Sequence, residues 1–399
     1  MAPDTYDELE QVIEQGGVSA LFDRLAEVLR EGRKYAQLFD ALLMKKRLEL
    51  GLPLEGSESV RDLPEAVQIE VENYYIDTCR KVGGLYLQDG DIAGAWPYFR
   101  AIDEPAPVAE ALDRWRPPES GKDGETEATV GGKVDAMIDI ALAQGASPRR
   151  GFELLLDRHG VERAVEALDR EIAQPGPVRE RCGRLLVDRV HGELSTRVRE
   201  AVAALGGSPS PEDSPGRLAE AHPGIFERRE LHLEERQIRA AIRIAASLED
   251  REAIRKAVEL TEYARRLPQD HRSPGQPPFE DFYADSRIYL LALLGVGSDG
   301  AVRYFQKKAE RAYLPSGGKN TPGEVLVTLL DRVGRHAEAV ACHRKHLETA
   351  ADVAPTVPKL VDLCQRAGDF TAHLERARQR GDLLEFAAGL VRRKKAGKA

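Results

Sequence analysis

The chain has 399 residues, too many for one compact helical core, so two or three domains or one elongated array are expected. With 42% hydrophobic and 31% charged residues it lacks the low-hydrophobicity balance that keeps a chain disordered. The formal net charge is −9, with 58 Lys and Arg interspersed among 67 Asp and Glu; this excludes a global field drawing the molecule to nucleic acid or anionic lipid and leaves only local patches for such partners.

The opening residues, MAPDTYDELEQVIEQ, carry acids where a secretory signal needs a basic start and an apolar run. No export signal is read, and a cytoplasmic location is expected. No stretch reaches the ~18 uninterrupted apolar residues of a membrane helix, so no membrane span is expected. Apolar residues recur instead at helical spacing: Val18, Leu21, Phe22, Leu25, Val28 and Leu29 form one stripe, and Ile238, Ile242, Ala245 and Leu248 another. Gly16-Gly17, Gly51-Leu52-Pro53, Asp89-Gly90-Asp91 and Pro175-Gly176-Pro177 divide the chain into helices of roughly 10 to 25 residues. Alternating strand patterns are scarce, and the expected fold class is all-α.

Polar stretches set the expected organisation. Residues 1–116 form an N-terminal helical repeat region, and 117–132 (PPESGKDGETEATVGG) are read as a flexible linker or long loop. A middle helical region, 133–206, is followed by a loop at 207–216 (GSPSPEDSPG), a C-terminal helical repeat region at 217–390 and a basic tail at 391–399. Residues 268–281, PQDHRSPGQPPFED, differ from the other loops because aromatics close them. An ordered loop, pinned to the helices by Phe279, Phe282 and Tyr283, is expected there.

In YLQDGDIAGAWPYFRAIDEPAP, together with the preceding glycines, Gly83, Tyr86, Gly90, Ala95, Phe99 and Pro107 fall at spacings of 3, 4, 5, 4 and 8. Pieces of the same grammar return later. Ala301 and Phe305 are four apart, Gly334 stands five before Ala339, and Gly368-Asp369-Phe370 makes another turn and start. Ala301 to Ala339 is 38 residues and Gly334 to Gly368 is 34, the size of one helix pair. This pattern resembles the tetratricopeptide repeat. The resemblance implies an α-solenoid of stacked antiparallel helix hairpins with irregular repeats, acting as a scaffold or adaptor that takes a peptide or protein on its concave face. Gly83 and Ala95 would let two helices approach, Tyr86 and Phe99 would fill the groove, and Asp89-Gly90 would turn the chain. Cys79 stands where the family has tryptophan, and Pro97 falls inside the second helix, so a kink or a late helix start near Trp96 is expected.

Candidate chemistry is sparse. His232 and Glu235 share a helical turn, and with His191, Glu193 and Asp270 they compose an alternative reading, a metal-dependent enzyme or metal-binding protein with a site between the helical halves. His343 stands where Phe99 and Phe305 stand in their pairs and is read as a core or half-buried residue. Cys79, Cys182, Cys342 and Cys364 include no CxxC pair and are read as buried free thiols. GVGSDG at 295–300 follows no strand and is read as an interhelical turn; no cofactor is expected. The C-terminal Arg392, Arg393, Lys394, Lys395 and Lys398 are read as a solvated tail offering at most weak contact with nucleic acid. A partner-binding surface is expected where large polar-tipped residues cluster: Tyr263, Arg265 and Arg266, then Phe279, Asp281, Phe282, Tyr283 and Asp285.

Overall fold

The computed structural model describes residues 5–54, 63–119, 126–227, 235–311, 320–348, 350 and 353–396, with the backbone alone at Asp270. Among these residues every regular element is a helix, and the β contacts reduce to a single bridge between Gln276 and Phe279. The all-α expectation holds. No described helix is long and apolar enough to cross a membrane. The chain divides into two compact units, Met1–Arg158 and His159–Ala399.

The first unit contains α1 (Thr5–Glu31), α2 (Tyr35–Glu49), α3 (Glu65–Gln88), α4 (Ile92–Ala101), α5 (Ala106–Arg114) and α6 (Glu127–Ile138), then a π-helical turn at Asp139–Ala143. Gly17, at φ 75°, interrupts α1 where Gly16-Gly17 was read as a break; a positive φ there suits glycine alone. Of the first apolar stripe, Phe22 and Leu29 are buried, while Val18 is exposed. α6 begins inside the stretch read as linker. Thr126 starts it by accepting a hydrogen bond from the Thr129 N–H.

The turn between α3 and α4 follows the sequence reading closely. Gly90 takes φ 78°, and Asp91 caps α4 by accepting from the Gly94 N–H at 2.8 Å. A Cβ on Gly83 would stand 2.7 Å from Phe99 Cε2, so the phenyl ring lies directly on the bare glycine. Tyr86 has a different seat. It rests on Gly94, where a Cβ would come within 2.4 Å of its ring, and it meets Tyr35 and Tyr98 at centroid distances of 5.0 and 5.7 Å.

The expected late start near Trp96 is corrected: α4 begins at Ile92 and runs through Pro97. The Asp91 cap and the burial of Ile92, Ala95, Trp96 and Phe99 together offset the ~3 kcal/mol that an internal proline costs. Trp96 is a tether as well as core. Its indole N–H donates at 2.5 Å to Gln144 Oε1, just beyond the π-helical turn, and Gln144 in turn donates to Asp139 at 2.6 Å.

α7 (Pro148–Arg170) is itself interrupted at Gly160, φ 76°, beside the division between the units. The second unit continues with α8 (Pro177–Ala204), α9 (Pro215–Ala221), α10 (Glu235–Ala246), α11 (Arg251–Ala264), α12 (Phe282–Leu293), α13 (Ser298–Arg311), α14 (Thr321–Arg332), α15 (His336–Leu347), α16 (Leu360–Ala367), α17 (Thr371–Arg380) and α18 (Leu383–Ala396). From α10 onward each helix packs on the next in sequence. Gly295 and Gly297, both at positive φ, make the α12–α13 turn, as read from GVGSDG. Arg392 to Lys395 belong to the last turns of α18 and not to a separate tail, and Lys398 lies outside the described residues.

Arginines bind neighbouring helices together at their carbonyl ends. Arg179 donates to the carbonyls of Leu168 within the last turn of α7 and Ile172 beyond it, Arg332 to those of Ala246 and Leu248 at the end of α10, and Arg251 to Leu294 at the end of α12. Each guanidinium supplies donors to carbonyls that a helix terminus leaves unpaired. Asp331, 9% exposed, accepts from Arg366 and lies 3.1 Å from His336 Nδ1, joining α14, α15 and α16.

All four cysteines are buried free thiols. Burial pushes Cys79 and Cys364 upward and Cys342 to about 12, which keeps them protonated and unreactive near neutrality.

Candidate functional site

The surface expected around residues 263–285 is divided by the structure into core and rim. Tyr263 and Tyr283 are among the largest fully buried side chains, and Asp285 is 1% exposed; these three are not available to a partner. The reason is helical phase: Tyr283, Ser286 and Leu290 lie on the face of α12 that turns inward, whereas Asp281 remains at the surface and Phe282 half-buried. Arg265 is exposed at the end of α11, while Arg266 donates to the Glu262 carbonyl at 2.6 Å and pairs with Glu220 at 2.8 Å.

Loop 268–281 is pinned to the helices through Phe279, one of the three aromatics the sequence singles out. Phe279 lies 5.5 Å from Phe305, 6.0 Å from Tyr289 and 6.5 Å from Phe282 between ring centroids. Polar bonds complete the attachment. Arg239 on α10 donates to the carbonyl of Ser273 at 2.8 Å, and Glu235 accepts from the Ser273 hydroxyl at 2.8 Å and its N–H at 3.2 Å. Lys308 on α13 donates to Pro278 O at 2.6 Å, Glu280 Oε2 at 2.5 Å and Asp285 Oδ2 at 2.8 Å.

Asp285 is the buried anchor of this arrangement. Besides Lys308 it receives the Tyr304 hydroxyl at 2.6 Å and the Asp281 N–H at 3.0 Å. Asp281 caps α12 in return, accepting from the Ala284 N–H at 3.2 Å. Burial alone would lower the Lys308 pKa, but hydrogen bonds to Asp285 and Glu280 outweigh it and raise the ammonium above its ordinary value. Glu235 follows the same logic with opposite sign. Burial would raise it, yet bonds from Tyr283 at 2.7 Å and from Ser273, with the charge of Arg239, hold it below the usual carboxylate range.

Two open depressions flank Phe282. One, of about 360 Å³, is lined by Glu235, Arg236, Arg239, Ala240, Arg243, Ser273 and Phe282. The other, of about 310 Å³, is lined by Gln269, Arg272, Ser273, Glu280, Asp281, Phe282 and Tyr283. Phe282 is common to both, and the Arg239 guanidinium lies 4.2 Å from its ring centroid. Arg236, Arg239 and Arg243, spaced i, i+3 and i+7 on α10, line the first depression, each beside a carboxylate: Arg236 lies 3.8 Å from Glu162, Arg239 3.3 Å from Glu235 and Arg243 2.7 Å from Asp169. The site therefore offers a flat aromatic, guanidinium groups and backbone edges: the means to hold an acidic, extended or turn segment.

The residues of the metal reading go separate ways. His191 Nε2 pairs with Glu259 at 2.8 Å, Glu193 is half-buried on α8 with Arg189 4.0 Å away, and Glu235 is spent on Tyr283, Ser273 and Arg239. His232 and the side chain of Asp270 lie outside the described residues. Among the described residues no group of three His, Cys, Asp or Glu is placed to hold a metal ion.

Sequence reading missed Arg239, Ser273, Tyr304 and Lys308. The spacing of Tyr304 and Lys308, i and i+4 on one helical face, was a signal that two polar tips would converge. Nothing in the sequence said on which buried carboxylate. Comparison of the chain with family models, with curated proteins and with solved structures finds no match in any of the three. The class that fold and site define is an all-α protein whose helices from α10 onward pack in sequence, with an arginine-lined surface depression.

Proposed function

We propose that the chain is a non-catalytic interaction scaffold, an α-solenoid of irregular tetratricopeptide-like helix hairpins, and that it takes an acidic peptide segment of a protein partner across Phe282. The observation that carries the repeat reading is the equivalence of three pairs. Ala95 with Phe99, Ala301 with Phe305, and Ala339 with His343 are each four residues apart on the second helix of a hairpin, and all six side chains are 5% exposed or less. A small residue followed one turn later by a ring is the way such hairpins close. The succession of packed neighbours from α10 to α18 supports the same reading.

The peptide assignment rests on Phe282 and its guanidinium neighbours. Aromatic and arginine side chains at a half-buried position are the types that dominate binding energy at interfaces. Arg236, whose side chain is 78% exposed, stands at the rim. Selection of peptides from a displayed library against the purified full chain tests the proposal. Selected sequences should be enriched in Asp and Glu, and Phe282→Ala or Arg236→Glu should weaken their binding by about thirtyfold and a few-fold respectively. Tyr6→Ala, at a residue 76% exposed in α1, serves as the control and should leave binding unchanged. Failure to select any peptide above background, or selected peptides indifferent to Phe282→Ala, would refute the site.

A further inference from the structure

The last helix presents an apolar face on which nothing of the described chain lies. α18 meets the preceding helices through Gly389, whose bare backbone rests against His373 and Leu374, and through Phe386, which packs on the cluster of Leu360, Cys364 and Phe370 beneath the Arg378 guanidinium. On the other side, Leu383 and Leu384 are 82% and 83% exposed, Val391 55% and Leu390 37%. At 100° per residue these four and Ala387 project within an arc of roughly 120°, and Lys394 and Lys395 continue along it.

Charge on this end is one-sided. Residues 371–396 hold seven Arg and Lys against three Asp and Glu, within a chain whose net charge is −9. The acids are turned away from the apolar face. Asp382 caps α18 by accepting from the Glu385 N–H at 2.9 Å, and Glu385 stands 3.8 Å from His373 Nδ1, toward α17. Glu375 pairs with Arg344 of α15 at 3.1 Å.

We propose that this face docks on an anionic lipid bilayer. Leu383, Leu384, Leu390 and Val391 enter the boundary between headgroups and acyl chains, and Lys394 and Lys395 reach the phosphates from the same face. Lysine stems lie along apolar surface while their ammonium groups stay at the headgroups, so leucine and lysine on one stripe suit a lipid interface. A nucleic acid would find no exposed ring on this face to stack its bases and no use for the leucines. The remainder of the chain, being net negative, is repelled by an anionic surface, which leaves this end to make the contact.

Flotation of the purified full chain with vesicles tests the inference. Binding is expected to phosphatidylcholine vesicles containing about a third phosphatidylserine and not to phosphatidylcholine alone, and to weaken as salt is raised. Two double variants separate the contributions: Leu383→Ser with Leu384→Ser, and Lys394→Glu with Lys395→Glu. Each should lower the apparent partition coefficient by roughly tenfold or more. Because all four residues are exposed, circular dichroism should show both variants folded as the parent. Absence of binding to the anionic vesicles, or equal binding to both compositions, overturns the proposal. So does a leucine-dependent dimer detected by light scattering, which would assign the face to a second copy of the chain, or retention of vesicle binding in both variants.

Discussion

Replacing His343 with phenylalanine tests the burial of this side chain and the electrostatics that follow from it. His343 is 5% exposed, on α15, four residues after the buried Ala339, as Phe99 follows Ala95 on α4 and Phe305 follows Ala301 on α13. Burial first, and the positive charge of Arg376 on α17 second, push its pKa down to about 4. An unfolded histidine titrates near 6.5, so as pH falls through that value the unfolded chain takes up a proton that the folded chain refuses. Stability is therefore whole above pH ~6.5 and declines toward pH ~4. The penalty is about 2 kcal/mol at pH ~5 and about 3 kcal/mol once both states are protonated.

The His343→Phe variant lacks this titration. Glu348, also near the ring, and every other titrating group remain in both proteins, so the difference between wild type and variant isolates the histidine. Urea unfolding followed by far-ultraviolet circular dichroism at pH ~7 and pH ~5 measures it. The transition assigned to the second unit should lose about 2 kcal/mol more in the wild type than in the variant. A baseline offset from fitting the larger ring into a packed site cancels in the comparison. The imidazole resonance of His343 in the folded protein gives an independent reading. Titration near pH 6.5, or equal acid sensitivity in wild type and variant, would refute the burial argument.

Lys308→Ala removes the donor shared by Pro278 O, Glu280 and the buried Asp285, and the stranded carboxylate should cost about 3 kcal/mol. Loop 268–281 should also be cut faster in limited proteolysis, and a cutting rate equal to that of the wild type would show that the aromatics alone hold it. Gly83→Ala puts a methyl group 2.7 Å from the Phe99 ring, so overpacking of about 1–3 kcal/mol is expected, read as a lowered unfolding midpoint of the first unit. Pairing it with Phe99→Leu should recover part of that loss; additive losses would mean that the ring is not the group that clashes.

Much of the fold was legible because it depends on local rules. Gly90 needed a positive φ, Asp91 capped the helix after it, and Ala95 and Phe99 faced inward one turn apart. The aromatic closure of the loop at Phe279 was legible for a related reason, since rings so close to a helix start find core. Other features depended on partners far away in the chain. Pro97 argued locally for a late helix start, yet Gln144, 48 residues on, and the buried neighbours of Trp96 hold α4 from Ile92. Gly94 looked like an ordinary helical glycine until Tyr86 was seen to rest on it.

The candidate site divides in the same way. Composition put aromatics, acids and arginines in 263–285, and they do gather there. Which of them face solvent was decided by helical phase, itself set by contacts with α10 and α13: Tyr283 turned in to Glu235, Asp285 to Lys308 and Tyr304, and Phe282 was left at the rim. Sequence alone determined helix, turn, cap and the recurring small-to-ring spacing, because each is settled by residues within one or two turns of each other. Tertiary structure alone decided which charges are spent internally and which surface remains. A polar side chain becomes part of the core or of a site only when a donor or acceptor distant in sequence meets it there, and that meeting is absent from any single stretch of chain.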